Sequence, residues 1–261
     1  MQSADRDQAN DYDSFAATYS AENENSLVNA YYERPAMLAL AGDVTGRRIL
    51  DAGCGSGPLS AALRERGAVV TGIDASAGML ALARRRLGDD AALHVADLHD
   101  PLPFDDGTFD DVAASLVLHY LEDWGPTLAE FRRVLRPGGR LIASVSHPFT
   151  AYAHRDPQPE YHATTRYTFD WTLNGQSVPM ELWRRPLHAM TDAFTTAGFH
   201  LCVISEPQPE PAARELFPDG FQDLSTNPNF LFFVVEVPPP ATGRGSWPVA
   251  DHQRSQNPAP Q

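Results

Sequence analysis

Between Arg48 and His147 short apolar runs alternate with stretches in which apolar residues return every three or four positions. The short runs fit buried strands and the longer stretches fit helices with one inward face. Ile49 and Leu50 lead into Asp51, and a second run ends in Gly72-Ile73-Asp74. Behind Pro58, the residues Leu59, Ala62 and Leu63 share a helix face; Met79, Leu80, Ala83 and Leu87 share another, between Ser76 as a cap and Gly88 as a stop. Pro126 opens a third helix with Leu128, Phe131 and Leu135 inward, halted by Pro137 and Gly138. Such alternation predicts a parallel sheet covered on both faces. Right-handed crossovers then bring every strand's C-terminal end to one edge, where open α/β sheets bind ligands. The turn after Asp51, Asp74, Asp97 and the segment from Ser115 to His119 all fall on that edge.

From Phe149 to Arg185 the alternation breaks. Two strand-like runs, residues 166–173 and 176–183, flank Asn174-Gly175, a hairpin signal. The segment reads as an insertion over the mouth of the site, with Pro179 confining its strand to an edge. A last helix starts at Pro186 with Leu187, Met190 and Phe194 on one face, and two apolar strands follow at residues 201–205 and 230–237. Pro238 to Gln261 is rich in Pro, Gly and Ser and reads as a disordered tail. The organisation expected is residues 1–40 as N-terminal helices, 41–237 as one domain with a lid at about 149–185, and 238–261 as the tail.

Composition narrows the class. The chain has 261 residues with 43% hydrophobic content, enough for one full core. Its formal net charge of −14 comes from 34 acids against 20 bases, all arginine. That balance repels phosphate backbones and argues against nucleic-acid binding. Arg84-Arg85-Arg86, the densest basic run, ends a predicted helix, where the dipole favours it. No leader or membrane-length apolar stretch is evident in the sequence, so a cytoplasmic protein is expected. Cys54 and Cys202 lack ligand or disulfide spacing and read as packed thiols, and no trio of histidines has metal-ligand spacing.

The most informative segment is Asp51-Ala-Gly-Cys-Gly-Ser-Gly57, a glycine turn joining a strand to a helix. Glycines admit close backbone approach, and the free N–H groups of the helix start carry partial positive charge. A dinucleotide fingerprint needs a glycine at the sixth place counted from Gly53, but Pro58 stands there, so NAD and FAD are disfavoured. In this order the segment resembles motif I of the class I S-adenosylmethionine (SAM)-dependent methyltransferases. Gly72-Ile73-Asp74 is similar to that family's acid-ended second strand, Ala96-Asp97-Leu98 to its adenine loop, residues 109–112 to its fourth strand and residues 135–141 to the turn into its fifth. The resemblance is close from Tyr31 to Pro148 and looser beyond.

It implies a Rossmann-like, seven-stranded, mostly parallel sheet with helices on both faces, an antiparallel final hairpin and the β-hairpin lid. SAM is the implied cofactor, received by Asp51, Gly53, Cys54, Gly55, Gly57, Asp74, Ala75, Met79, Asp97, Leu98 and Ser115. Asp74 would accept from both ribose hydroxyls, Asp51 would orient the methionyl ammonium, and Asp97 with Leu98 would hold the adenine edge. Met79 would lie on the ring or simply pack in the core.

His119 and then His147 are the candidate general bases, with structural packing as the alternative for each. Tyr12 and Tyr19, seven apart, would share a helix face at the methyl end or anchor a docking helix. Aromatic residues of the insertion (Tyr152, Tyr161, Tyr167, Phe169, Trp171, Trp183) suggest an apolar or ring-bearing substrate, with Arg184 and Arg185 at the rim for a carboxylate. His154, His162 and His188 read as surface or lid residues. The expected activity is methyl transfer to oxygen or nitrogen of a small molecule by a monomer or homodimer, in secondary metabolism. Carbon transfer, and a non-transferring use of SAM in a cyclisation or rearrangement, are the alternatives.

Overall fold

The computed structural model describes residues 10–153, 157–173 and 175–239. Its main sheet has seven strands: β1 (Arg48–Ala52), β2 (Val69–Asp74), β3 (Ala92–Val95), β4 (Phe109–Ser115), β5 (Leu135–Ser146), β8 (His200–Ser205) and β9 (Phe230–Glu236). The spatial order is β3-β2-β1-β4-β5-β9-β8. β1 to β5 run parallel, and β9 lies antiparallel between β5 and β8. Strand order reverses between β1 and β4, so a crevice opens beyond their C-terminal ends.

The central strands β1, β4, β5 and β9 bury both faces, because neighbouring residues point into separate cores. Leu50, Val112, Ala114, Leu141, Phe233 and Val235 join one core with α5 (Gly125–Val134) and α7 (Leu187–Thr196). Ile49, Ala113, Ile142, Phe232 and Val234 join the other, under α2 (Arg34–Ala41) and α3 (Pro58–Glu65). The predicted helix punctuation is seen directly: Ser76 Oγ accepts from Met79 N–H at the start of α4 (Ala77–Leu87), and Gly88 closes it.

Three expectations are corrected. The third helix ends at Val134, and Pro137 and Gly138 lie inside β5, whose pairing with β4 shifts register between Phe109 and Asp111. The helix after the insertion is not the last, because α8 (Ala213–Leu216) and α9 (Pro218–Thr226) fill the connection between β8 and β9. Cys202 is exposed on β8, an edge strand whose side chains mostly face solvent. The insertion consists of α6 (Pro148–Ala153) and a separate two-stranded sheet of β6 (Thr165–Leu173) and β7 (Gln176–Arg184). Pro179 sits opposite Asp170 in that ladder. Asn174, His154 and most of the expected tail lie outside the described residues.

At the far end of the sheet from the crevice, the buried Asp111 carboxylate ties three strands together. Arg140 donates to both its oxygens at 2.8 and 2.9 Å, and Arg47 donates Nη2–H to Oδ1 at 2.7 Å and Nε–H to Oδ2. Removing one member of a buried ionic cluster strands the others without compensation. Asp111→Ala should therefore lower the unfolding free energy by about 3–5 kcal/mol in a urea titration, while ligand affinity of the folded fraction stays unchanged.

Candidate functional site

The glycine turn follows β1 as expected. Gly53 has φ +75°, a conformation costly for other residues, and a Cβ there would lie 2.6 Å from Val117 Cγ2. Gly55 and Gly57 are also left-handed, at φ +54° and +79°, and the space beside Gly55 is open to 4 Å. Asp74 clamps the turn from the end of β2: Gly55 N–H donates to its Oδ2 at 2.8 Å and Ser76 N–H to its Oδ1 at 2.9 Å. Burial raises the Asp74 pKa, and those two N–H groups oppose the rise. Cys54 packs its thiol under the turn against Gly72, and burial pushes its pKa up, which leaves an inert thiol.

Beneath the turn Asp51 is 1% exposed. Ser60 Oγ donates to its Oδ2 at 2.6 Å, whereas Oδ1 has no partner among the described residues. Burial lifts its pKa to about 7, with Glu33 and Asp74 nearby adding to the rise. Glu33 lies in a short π-helical turn, Asn29–Glu33, just before α2. Its Oε1 accepts from Ser115 Oγ at 2.7 Å and Ser144 Oγ at 2.6 Å, across the ends of β4 and β5. Burial raises the Glu33 pKa as well. The sequence reading missed Glu33 and its neighbour Arg34; the available signal was a charged pair inside the apolar run 31–41.

A roof covers this crevice from two directions. The first half is α1 (Tyr12–Asn25), pinned on α4 at both ends. Asp13 Oδ1 accepts from Ser76 Oγ at 2.6 Å and Gly78 N–H at 2.7 Å, and Glu24 pairs with Arg86. A Cβ at Gly78 would sit 2.8 Å from Asp13 Oδ1, so glycine permits the close approach. The second half is the β6–β7 hairpin. Phe15, Leu173, Val178 and Met180 form a small core between them, with Tyr12, Tyr19, Tyr120 and Trp171 packed around it. Tyr12 and Tyr19 do share a helix face, their ring centroids 5.2 Å apart, and the Tyr12 and Tyr120 hydroxyls are hydrogen-bonded to each other. Burial raises the pKa of all three phenols, that of Tyr19 to about 12.

The two candidate bases sit in different surroundings. His119 is buried in a 3-10 turn after β4, its Nδ1 accepting from Ser146 N–H at 3.3 Å. That bond leaves the ring proton on Nε2, and burial lowers the pKa to about 3, so the neutral ring is favoured. His147 engages both nitrogens locally, Nδ1 accepting from Phe149 N–H at 3.3 Å and Nε2 lying 2.8 Å from Glu206 Oε1.

Other candidates are placed as follows. Met79 is 1% exposed and packs as core. Ala75 lies between Asp74 and the Ser76 cap. Asp97 is exposed; burial works against its charge, but the N–H and ring of His99 hold its pKa below the ordinary value. Leu98 is buried and its carbonyl accepts from Thr127 Oγ1. Arg184 is not at a rim: it is buried and donates to the carbonyls of Glu160, Tyr161 and Ala163. Arg185 stacks on Trp124, 4.8 Å from the ring centroid, and donates to Glu122 O. Arg184 is thereby held within the protein, whereas Arg185 Nε is buried without a hydrogen-bond partner among the described residues. His162 and His188 rings lie 5.6 Å apart near the hairpin base.

Residues 50–143 match the family model described as a methyltransferase domain. A demethylmenaquinone methyltransferase of Clavibacter sepedonicus is 42% identical over 134 residues, 50% of this chain and 54% of that protein. A malonyl-[acyl-carrier protein] O-methyltransferase of Serratia marcescens is 40% identical over 110 residues, 41% and 42% of the respective chains. The chain spans about half the length of these curated relatives or less. The crystal structure of a SAM-dependent methyltransferase from Mesorhizobium loti aligns with a TM-score of 0.66 at 29% identity, over 77% of this chain and 96% of that one. Residues 50–143 carry a methyltransferase domain, and the fold around them is that of SAM-dependent methyltransferases. SAM is accordingly its cofactor.

The methyltransferase site fits that cofactor on its own geometry. The unpartnered, buried Asp51 oxygen has the sign and position to meet an ammonium, and the open side of Gly55 leaves room for a ligand against the backbone. No helix among the described residues is long and apolar enough to cross a membrane.

A proton on Asp51 has a measurable signature. Between the ordinary carboxyl pKa and about 7, the folded chain holds a proton that the unfolded chain has released, so stability falls as pH rises through that window. Asp51→Asn, which still accepts from Ser60, should be nearly neutral at pH 4 and stabilise the ligand-free protein at pH 8 by up to about 3 kcal/mol. Chemical denaturation at the two pH values checks the sign.

Proposed function

We propose that this methyltransferase moves the methyl group of SAM to an oxygen or nitrogen atom of a small, apolar or ring-bearing metabolite. The observation that carries the reading is the half-satisfied, buried Asp51 carboxylate under a glycine turn clamped by Asp74. In this reading Gly53, Cys54, Gly55 and Gly57 shape the turn around the methionyl arm, with Ser115 helping through Glu33. Asp74 keeps its remaining lone pairs for the ribose hydroxyls, and Asp97 with Leu98 borders the adenine. In the same reading α1 and the β6–β7 hairpin form the roof over the core domain.

When bound, the cofactor supplies a methyl group on a sulfonium, whose thioether departs without acid assistance. The chain's contribution is alignment and exclusion of water, effects worth up to about 7–11 kcal/mol of barrier. Tyr12, Tyr19, Tyr120 and Trp171 provide the dry aromatic wall. Burial keeps the roof phenols protonated near neutrality and disfavours a charged His119. Those properties support an acceptor that arrives already nucleophilic, such as an acidic phenol, a carboxylate or an unprotonated amine.

Methyl-labelled SAM incubated with a panel of such acceptors, including a malonyl thioester after one of the relatives, should yield labelled product; label in a demethylmenaquinol product would instead indicate transfer to carbon. Altered substrate without label would instead indicate a non-transferring reaction. Asp74→Ala should weaken S-adenosylhomocysteine binding by about 10–100-fold in calorimetry. His119→Gln should lower kcat by less than about tenfold and leave its pH profile without a new inflection between pH 5 and 8; a loss above about 100-fold would restore His119 as a general base.

A further inference from the structure

One buried donor between the sheet edge and the roof has nothing to give to. The His119 ring is 6% exposed. Both bonds it makes fall on Nδ1, from the Ser146 N–H at 3.3 Å and the Ser146 hydroxyl at 3.4 Å, and its Nε2–H meets no acceptor among the described residues. A buried donor left unpaired is destabilising, so the fold holds this proton at a cost that a ligand oxygen would remove. The 3-10 turn Leu118–Tyr120 that carries it packs against β5 and against β7 of the hairpin. The ring also lies against Tyr120, centroids 4.8 Å apart, and Tyr120 belongs to the roof.

The phenols beside it also have protons left over. Tyr12 and Tyr120 use one proton in the hydrogen bond between their hydroxyls, which leaves one of two for another acceptor. Tyr19 Oη takes the Asn23 Nδ2–H at 3.0 Å, and its own proton meets no acceptor among the described residues. Asp74 acts on all three phenols through its charge, and Glu33 acts on Tyr19, but neither acid accepts a hydrogen bond from them among the described residues. Asp74 is held instead by the Gly55 and Ser76 amides, and Glu33 by the Ser115 and Ser144 hydroxyls. His119 and Tyr19 thus have only a proton left to offer, and the wall they form with Tyr12 and Tyr120 is rich in uncharged donors.

We propose that His119, with the spare proton of the Tyr12–Tyr120 pair, selects an oxygen anion as the methyl acceptor in preference to a nitrogen, an assignment that rests on the methyl-transfer reading above. The fitting class is a carboxylate, or a phenolate or enolate conjugated to a carbonyl. Uncharged donors hold such an anion through charge-assisted hydrogen bonds. One of its oxygens takes the donors, and a lone pair on the other attacks the methyl carbon. The C–O bond forms as the C–S bond breaks, the electron pair of the broken bond stays on sulfur, and the charges of oxyanion and sulfonium cancel. No proton has to leave, so the site needs no base. An amine would bring its own N–H groups to a wall that already presents protons.

The test uses the full chain saturated with S-adenosylhomocysteine and two probes of nearly the same shape, 4-nitrophenol and 4-nitroaniline, followed by calorimetry and absorbance. At pH 8 the wild type should bind the phenolate about tenfold more tightly than the aniline. The ionisation midpoint of bound 4-nitrophenol should fall about one pH unit below that of the free probe, the same tenfold preference for the anion. An apolar pocket without donors moves that midpoint upward instead. His119→Met should lose most of the preference and of the shift. His119→Gln, which can accept the Ser146 amide and still present an N–H, should keep both within about threefold of wild type. Tyr12→Phe combined with Tyr120→Phe removes the spare phenolic proton and should narrow the preference by about threefold. Asp74 is the same in every variant, so its charge cancels from the comparison. A raised midpoint in the wild type, equal binding of the aniline, or an undiminished preference in His119→Met overturns the assignment. So does a chain that takes up S-adenosylhomocysteine and binds no phenolate. If S-adenosylhomocysteine itself does not bind, the cofactor reading fails, and this proposal with it.

Discussion

The organising constraint in this molecule is the desolvation of carboxylates around one turn. Asp51, Glu33 and Asp74 are withdrawn from water within reach of each other's fields, and burial raises the pKa of each. A fold tolerates such a cluster only where hydroxyl and N–H donors absorb part of the charge and a proton or cation takes the remainder. Here Ser60, Ser115, Ser144 and the amides of Gly55 and Ser76 do the first part. The remaining negative charge suits a ligand whose end groups are charged but whose body is not.

The sheet explains why the acids meet. β1 delivers Asp51, β2 delivers Asp74, and β4 and β5 deliver the serines that hold Glu33, all at the C-terminal edge where strand order reverses. The opposite edge carries the Asp111 cluster with Arg47 and Arg140. One end of the sheet is thus cross-linked by balanced charge, and the other is kept electrostatically incomplete.

Much of this was legible in the sequence. The alternation of apolar runs gave the parallel core and nearly all its helix boundaries, because both signals depend on local periodicity and capping. The hairpin strands came within one residue of their observed starts, since a period of two survives wherever one face is covered. What escaped depends on tertiary surroundings. Periodicity cannot see that Pro137 and Gly138 ride within a strand at a register shift, or that α8 and α9 occupy a connection lacking strong apolar pattern. Proximity of His119 to the site was readable, whereas the Ser146 amide on its ring was not. Arg184 looked like a rim cation for the same reason, although three backbone carbonyls already occupy its guanidinium. Glu33 was overlooked because a charged pair in a helical run ordinarily faces solvent, and only the π-helical turn rotates it inward.

The start of α1 is also stitched to the hairpin. Asn10 Nδ2–H donates to Glu181 O at 2.9 Å while Glu181 N–H donates back to Asn10 Oδ1 at 3.0 Å, and Asn10 N–H reaches Pro179 O at 3.3 Å. Two stretches more than 150 positions apart in the chain are thereby riveted into a single plate. Neither stretch can lift from the crevice alone without breaking these bonds, so the two halves of the cover open together or not at all.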